Sequence, residues 1–321
     1  MKIGLQIPNF TFPNGPKGFA EDIKNIVTAV DNSGFSSLWV MDHFFQIGGE
    51  GQPLLGPAED DMHEGYSMLG YIAGLTSNVK LGTMVTGNIY RNPGVLAKTV
   101  TTLDILSNGR AYMGIGAGWM QREAEGFGIP FNTFKIRFEK LEEALQIIKQ
   151  MWSDNDGEYK GKYYNFKETM CHPMPLQKPH PPILIGGMGP KKTLRFVAKY
   201  ADGTNLFDGM GIGAVKNAVN NLKEHCRTEE RNYDEIEKTT LGSVFLGNSE
   251  MPDSYERERK TGTTTQKFTV KVLKTAKDTV EHLKELSEIG IQHAIFNMRD
   301  PYNLKNIETF RDEIIPAVKD L

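Results

Sequence analysis

Eight short runs rich in β-branched and aliphatic residues recur along the chain, each followed by a longer stretch of helical period. The runs are residues 2–7, 37–41, 79–85, 111–115, 182–185, 203–206, 239–245 and 292–296. The stretches behind them are 17–33, 66–76, 94–106, 137–152, 191–200, 213–226, 276–289 and 303–318. In the fourth stretch Phe138, Leu141, Leu145, Ile148 and Trp152 repeat at three- and four-residue steps, with charges on the other face. Strand and helix in strict alternation build a parallel sheet. Eight alternations within 321 residues fit an α/β fold closed as a (β/α)8 TIM barrel better than an open doubly wound sheet. A chain of roughly 300 residues buries about three quarters of its extended surface, so one domain over 1–321 has ample core.

Three connections are long. Residues 44–65 follow the second run, 119–135 the fourth and 249–268 the seventh. All three leave the C-terminal ends of strands, where barrels place their active sites, and they read as lids or substrate walls. Residues 155–182 precede the fifth run and are expected at the opposite, structural end. No low-complexity tract or internal repeat divides the chain.

Composition limits the partners. The net charge is -3, with no basic block for nucleic acid and no uninterrupted apolar run for a membrane span. Cys171 and Cys226 are the only cysteines and form no paired motif. Free thiols in a reducing cytoplasm are expected. The Asp60, Asp61, His63 and Glu64 cluster lacks metal-ligand spacing, so no metal is expected.

Three strand ends hold the chemistry. Asp42 and His43 close the second run, where an imidazole can hold a proton near neutral pH. Gly114-Ile115-Gly116-Ala117-Gly118-Trp119 closes the fourth. Trp119 stands where a dinucleotide fingerprint needs its third glycine, so the glycines are read as room for a planar ring, with Trp119 as its wall. Gly186-Gly187-Met188-Gly189-Pro190 precedes Lys191 and Lys192. Converging N–H groups, a proline for the first helical turn and two lysines form the best phosphate site in the sequence.

Taken in order, these segments resemble the luciferase-like flavin and deazaflavin oxidoreductases. The resemblance runs through Ile3-Gly4-Leu5-Gln6-Ile7-Pro8-Asn9-Phe10, Ser37-Leu38-Trp39-Val40-Met41-Asp42-His43-Phe44, Leu81-Gly82-Thr83 and Tyr90-Arg91-Asn92-Pro93. It continues through Thr102-Leu103-Asp104, Ser107-Asn108-Gly109-Arg110, the fourth-run glycines, Gly126-Phe127-Gly128-Ile129-Pro130-Phe131 and Pro182-Ile183-Leu184-Ile185-Gly186-Gly187. Gly-Ala-Gly-Trp after the fourth run is similar to the branch using coenzyme F-420, an 8-hydroxy-5-deazaflavin.

The resemblance implies a homodimeric barrel with the ring in its mouth. It gives His43 the catalytic role and Asp42 a cofactor contact. It implies a bulge with a non-prolyl cis peptide at Met84 and Val85 behind the ring, and Thr86 beside it. Gly186, Gly187 and Met188 match the segment that holds the cofactor's phosphate tail. Trp119 and Arg122 stand where some relatives carry a catalytic Glu and a ring-contacting Asn, and are grouped with the cofactor contacts. Glu123 is the carboxylate nearest that corner. The implied activity is hydride transfer with a small organic substrate. An FMN-dependent monooxygenase is the alternative enzyme, and a barrel that binds without turnover the alternative class.

Overall fold

The computed structural model describes residues 1–48, 56–247, 251–261 and 264–321. The seven residues 49–55 of the second-run connection therefore lie outside the described residues, as do 248–250 and 262–263 around the seventh. Each expected alternation is present. β1 (Lys2–Ile7) leads to α1 (Gly15–Asp31), and β2 (Ser37–Val40) to α2 (Gly65–Leu75). The third run is split into β3 (Lys80–Thr83) and β4 (Thr86–Gly87), and leads to α3 (Pro93–Leu106). β5 (Met113–Gly116) is followed by a short α4 (Gln121–Gly126) and a long α5 (Phe134–Met151). A hairpin of β6 (Tyr159–Lys160) and β7 (Asn165–Phe166) precedes β8 (Ile183–Gly186) and α6 (Thr193–Tyr200). Then come β9 (Gly203–Phe207), α7 (Ile212–Thr228) and β10 (Glu237–Val244). A second hairpin, β11 (Ser254–Thr261) with β12 (Thr264–Lys271), is followed by α8 (Ala276–Glu288), β13 (His293–Met298), α9 (Leu304–Thr309) and α10 (Ile315–Val318).

The large sheet runs β3-β2-β1-β13-β10-β9-β8-β5-β4, and its pairs are parallel. Because β3 and β4 are two pieces of one strand, this order bends round on itself. Leu81 bridges to Ala111, and Thr86 and Gly87 pair with Ile115 and Gly116. The result is a TIM barrel rather than an open sheet.

Side chains alternate along each strand, as extended backbone requires. On β1, Ile3, Leu5 and Ile7 face the helices and join the main apolar core. On β13, Ala294, Phe296 and Met298 do the same. The inward positions form a separate cluster of Trp39, Met84, Leu184 and Ile295. Below it the interior is polar. Ser37 Oγ lies 2.9 Å from His293 Nε2, and Glu237 accepts from Tyr112 (3.0 Å) and Lys2 (2.9 Å). The barrel is therefore filled at its N-terminal end, and a ligand must enter from the other.

Two sequence expectations change here. The 155–182 excursion does not stay at the structural end. Its hairpin climbs the wall between α3 and α5, until a side chain at Gly94 would strike the Phe166 ring at 2.6 Å. It returns downward to Asp104, which accepts from the Leu176 N–H (2.8 Å) and the Gln177 amide (2.7 Å). Pro190 also lies outside its helix. α6 begins only at Thr193, and Leu194 N–H donates to Gly189 O at 3.1 Å, which turns the chain ahead of it.

Candidate active site

The mouth is organised by the break between β3 and β4. The Met84–Val85 peptide there is cis. The glycines of the neighbouring strands are shaped to this bulge. A Cβ on Gly114 would sit 1.9 Å from Thr83 O, and one on Gly186 would sit 3.0 Å from Val85 Cγ2. Gly116 is as tight, its Cβ position 3.2 Å from the same Val85 atom. The sequence suggested that Gly114 and Gly116 leave space for a ring. The space is taken by the bulge itself, which presents Val85 between β5 and β8.

Beneath the bulge, Tyr66 OH lies 2.9 Å from Thr86 Oγ1, which in turn lies 2.9 Å from Thr83 Oγ1. Burial, with the nearby Asp42 charge, pushes the Tyr66 hydroxyl up to about 12. Thr86 is thus part of a hydrogen-bonded floor.

Asp42 and His43 are brought to the same rim but do different work. The Asp42 carboxylate is buried and receives the fork of Arg91, with N···O distances of 2.5 and 2.9 Å. Arg91 also reaches Glu64 and stacks over Tyr66 at 4.9 Å. Burial alone would lower the Arg91 pKa, but the hydrogen bond and charge of Asp42 raise it. Asp42 thus orients Arg91 in the wall of the mouth, and each of its oxygens keeps room for a further donor.

His43 is buried at the surface of the mouth, and its Nδ1 lies 2.6 Å from Glu123 Oε1. Tyr90 OH donates to the same oxygen, and the N–H groups of Phe44 (2.8 Å) and Phe45 (3.4 Å) donate to Oε2. Burial would push the Glu123 carboxyl up. The hydrogen bond and charge of His43, then those of Tyr90 and Phe44, hold it below the usual carboxylate range. Burial first, then Glu123, pushes the Tyr90 hydroxyl far up. A carboxylate saturated in this way accepts from Nδ1–H, leaving Nε2 as the ring nitrogen free to exchange a proton.

Trp119 stands over this pair, edge-on to His43 with ring centres 5.5 Å apart. It is 55% exposed. Phe127 stacks on Phe44 at 5.1 Å, continuing the aromatic wall. Arg122 is not part of it: its side chain points outward to Glu59 at 3.3 Å. The next residue, Glu123, faces inward, so α4 divides its two faces between solvent and His43.

On the far side, Gly187 takes φ +123, and its N–H is spent on Asn205 O at 2.9 Å. Among the described residues, the Met188 and Gly189 N–H groups have no protein acceptor. They form a small donor nest ahead of α6, which suits an anion such as a phosphate. Two further orphans point into the barrel. Gln6 Oε1 and Asn297 Oδ1, cross-strand neighbours on β1 and β13, are buried without a partner. Buried polar atoms are normally bonded, so these acceptors fit donors on a ligand in the mouth.

The sequence missed Tyr90, Arg91 and Tyr66 as individual site residues. It named Glu123 only as a nearby acid. Tyr90-Arg91-Asn92-Pro93 was visible as a segment. Nothing local says that its Tyr and Arg turn inward.

A family model for luciferase-like monooxygenases matches residues 1–294, and the chain belongs to that family. It is 28% identical over 247 residues to an F-420-dependent glucose-6-phosphate dehydrogenase of Amycolatopsis mediterranei, covering 74% of this chain and 67% of that protein. The protein of the same name from Kineococcus radiotolerans is 30% identical over 221 residues, covering 68% of this chain and 61% of its own length. That from Microbacterium testaceum is 25% identical over 318 residues, 90% of each chain. An F-420-dependent secondary alcohol dehydrogenase, solved with an F-420–acetone adduct, superposes over 100% of both chains with a TM-score of 0.79 and 20% identity. That structural likeness speaks for the fold. No helix among the described residues is long and apolar enough to cross a membrane.

Proposed function

We propose that this chain is an oxidoreductase transferring hydride between coenzyme F-420 and a small organic substrate, with His43 as its proton-handling residue. The observation that carries the reading is the Glu123–His43 contact at 2.6 Å beneath Trp119, at the mouth of a barrel closed at its other end. The named functions of the sequence relatives support the deazaflavin.

When bound, the deazaflavin supplies a hydride-accepting or hydride-donating carbon. Met84, Val85 and Thr86 support its ring, while Trp119 closes one side. The Met188 and Gly189 N–H groups, with Gly186 and Gly187 shaping the turn, hold its phosphate tail. Nε2 of His43 takes the proton from a substrate hydroxyl as hydride leaves carbon, or returns it in the reverse direction. Asp42 serves through Arg91, and Arg122 stays outside the ligand contacts.

Parallel titrations with F-420 and reduced FMN test the reading. Tight F-420 binding with no oxygen uptake supports it. Binding of reduced FMN alone, with oxygen consumed on adding substrate, replaces it by a flavin monooxygenase. The enzyme is further expected to work as a homodimer, since Val95, Leu106, Met170 and Leu176 expose apolar side chains about α3. Light scattering on the purified protein checks this. The two buried free cysteines suit a reducing, cytoplasmic setting.

A further inference from the structure

Lys238 is the second residue of β10, at the closed end of the barrel. Glu237 beside it bonds the interior Tyr112, and Thr239 bonds the interior Asn205. Alternation therefore points Lys238 outward, into the layer where α7 and α8 pack on the strands. Val219, Leu222, Leu283 and Leu286 of that layer belong to the apolar core. Lys238 is 4% exposed, and among the described residues its ammonium makes no hydrogen bond and pairs with no carboxylate. The face of the Tyr233 ring lies 4.4 Å away. Burial lowers the Lys238 pKa, and the nearby Asp234 charge works against that. The ammonium borders the adjoining cavity, where a charged partner can meet it.

The missing partner has a place to sit. A cavity of about 490 Å³ opens beside Lys238, between α7, the turn at Tyr233 and the end of α8. Lys216 and Lys223, two turns apart on α7, line the same cavity, and Lys223 lies 5.2 Å from the Tyr233 ring centre. Asp234 and Glu288 also line it, so three lysines face two carboxylates. Val219 and Ile289 provide an apolar wall.

We propose that this cavity is a second ligand site, remote from the mouth, that takes a small organic or inorganic oxyanion. The acidic group, a carboxylate or a phosphate, bonds Lys238 at the base and Lys223 and Lys216 above it. An apolar body, where the ligand has one, rests on Tyr233 and Ile289. The ligand thereby ties α7 to the turn that precedes β13.

Titration calorimetry with benzoate and with inorganic phosphate, at constant ionic strength, tests the proposal and separates the two acid types. Lys238→Met keeps the apolar stem on Tyr233 and removes an ammonium that bonds no carboxylate, so the variant is expected to fold. Wild type should bind at least one of the two anions at a site whose affinity falls about tenfold or more in Lys238→Met. Phosphate bound at the Met188 nest is common to both proteins and cancels in the comparison. Superimposable isotherms for the two proteins, or no binding of either anion to wild type, would overturn the proposal. Loss of F-420 binding, by contrast, bears only on the mouth.

Discussion

His43 Nδ1 and Glu123 Oε1 lie 2.6 Å apart although the residues are 80 positions apart in sequence. One closes β2, the other sits in the short helix after β5, and two backbone N–H groups of the β2 loop lock the carboxylate in place. This geometry fixes the imidazole with Nδ1 as donor and Nε2 toward the mouth. Glu123→Gln keeps the shape and removes the charge. It is expected to lower turnover by about 10²-fold, in the range of general acid–base contributions, with a smaller effect on KM. The pH profile of kcat should also move, because the imidazolium loses its counter-charge. An unchanged profile at wild-type rate would remove Glu123 from the mechanism.

Much of the barrel was readable in the sequence because its signals are local. Alternating apolar positions such as Ile3, Leu5 and Ile7 face one layer, and Phe138, Leu141 and Leu145 form one stripe. The placement of Asp42 and His43 at a strand end followed from the same pattern. Their division of labour did not. It depends on Arg91 and Glu123 arriving from other strands, and those contacts are set by tertiary geometry rather than spacing. The glycines show the same limit. Their positions were visible, but the neighbour that needs the room, Val85, lies in the bulge between β3 and β4.

Those glycines give a graded test. At Gly114 a Cβ would meet backbone, 1.9 Å from Thr83 O, and nothing flexible can move aside. Gly114→Ala should displace the bulge and cost about 3 kcal/mol or more. At Gly186 the neighbour is the Val85 side chain at 3.0 Å, which can give by a few tenths of an ångström. Gly186→Ala should fold, yet bind F-420 about tenfold more weakly as Val85 shifts. Melting curves with cofactor titrations measure both. Equal stability losses at the two sites would contradict the ordering.

Arg91 and Asp42 form a buried pair whose halves cannot be removed singly. Arg91→Met leaves the Asp42 carboxylate buried without a cation, so a loss of about 3–5 kcal/mol is expected in urea unfolding. Adding Asp42→Asn removes the stranded charge, and the double variant should recover part of that loss. A single-variant loss below about 1 kcal/mol would mean that the carboxylate finds other donors.

Glu237 makes the closed end of the barrel sensitive to acid. Burial would raise its pKa, but His293, then Lys2, holds it down to about 2, against an ordinary 4.5. A carboxyl depressed on folding contributes stability above its unfolded pKa and loses it as pH falls through the folded one. The contribution is therefore present at neutral pH and fades from about pH 5 towards pH 2, and a shift of that size corresponds to about 3 kcal/mol. Glu237→Gln cannot ionise. The stability gap between wild type and this variant, measured by urea unfolding, should be large at pH 7 and shrink steadily towards pH 3. His293, Lys2 and Tyr112 are the groups facing it, and all remain in the variant. A gap that stays constant between the two pH values would mean that Glu237 contributes through packing and hydrogen bonding rather than through its charge.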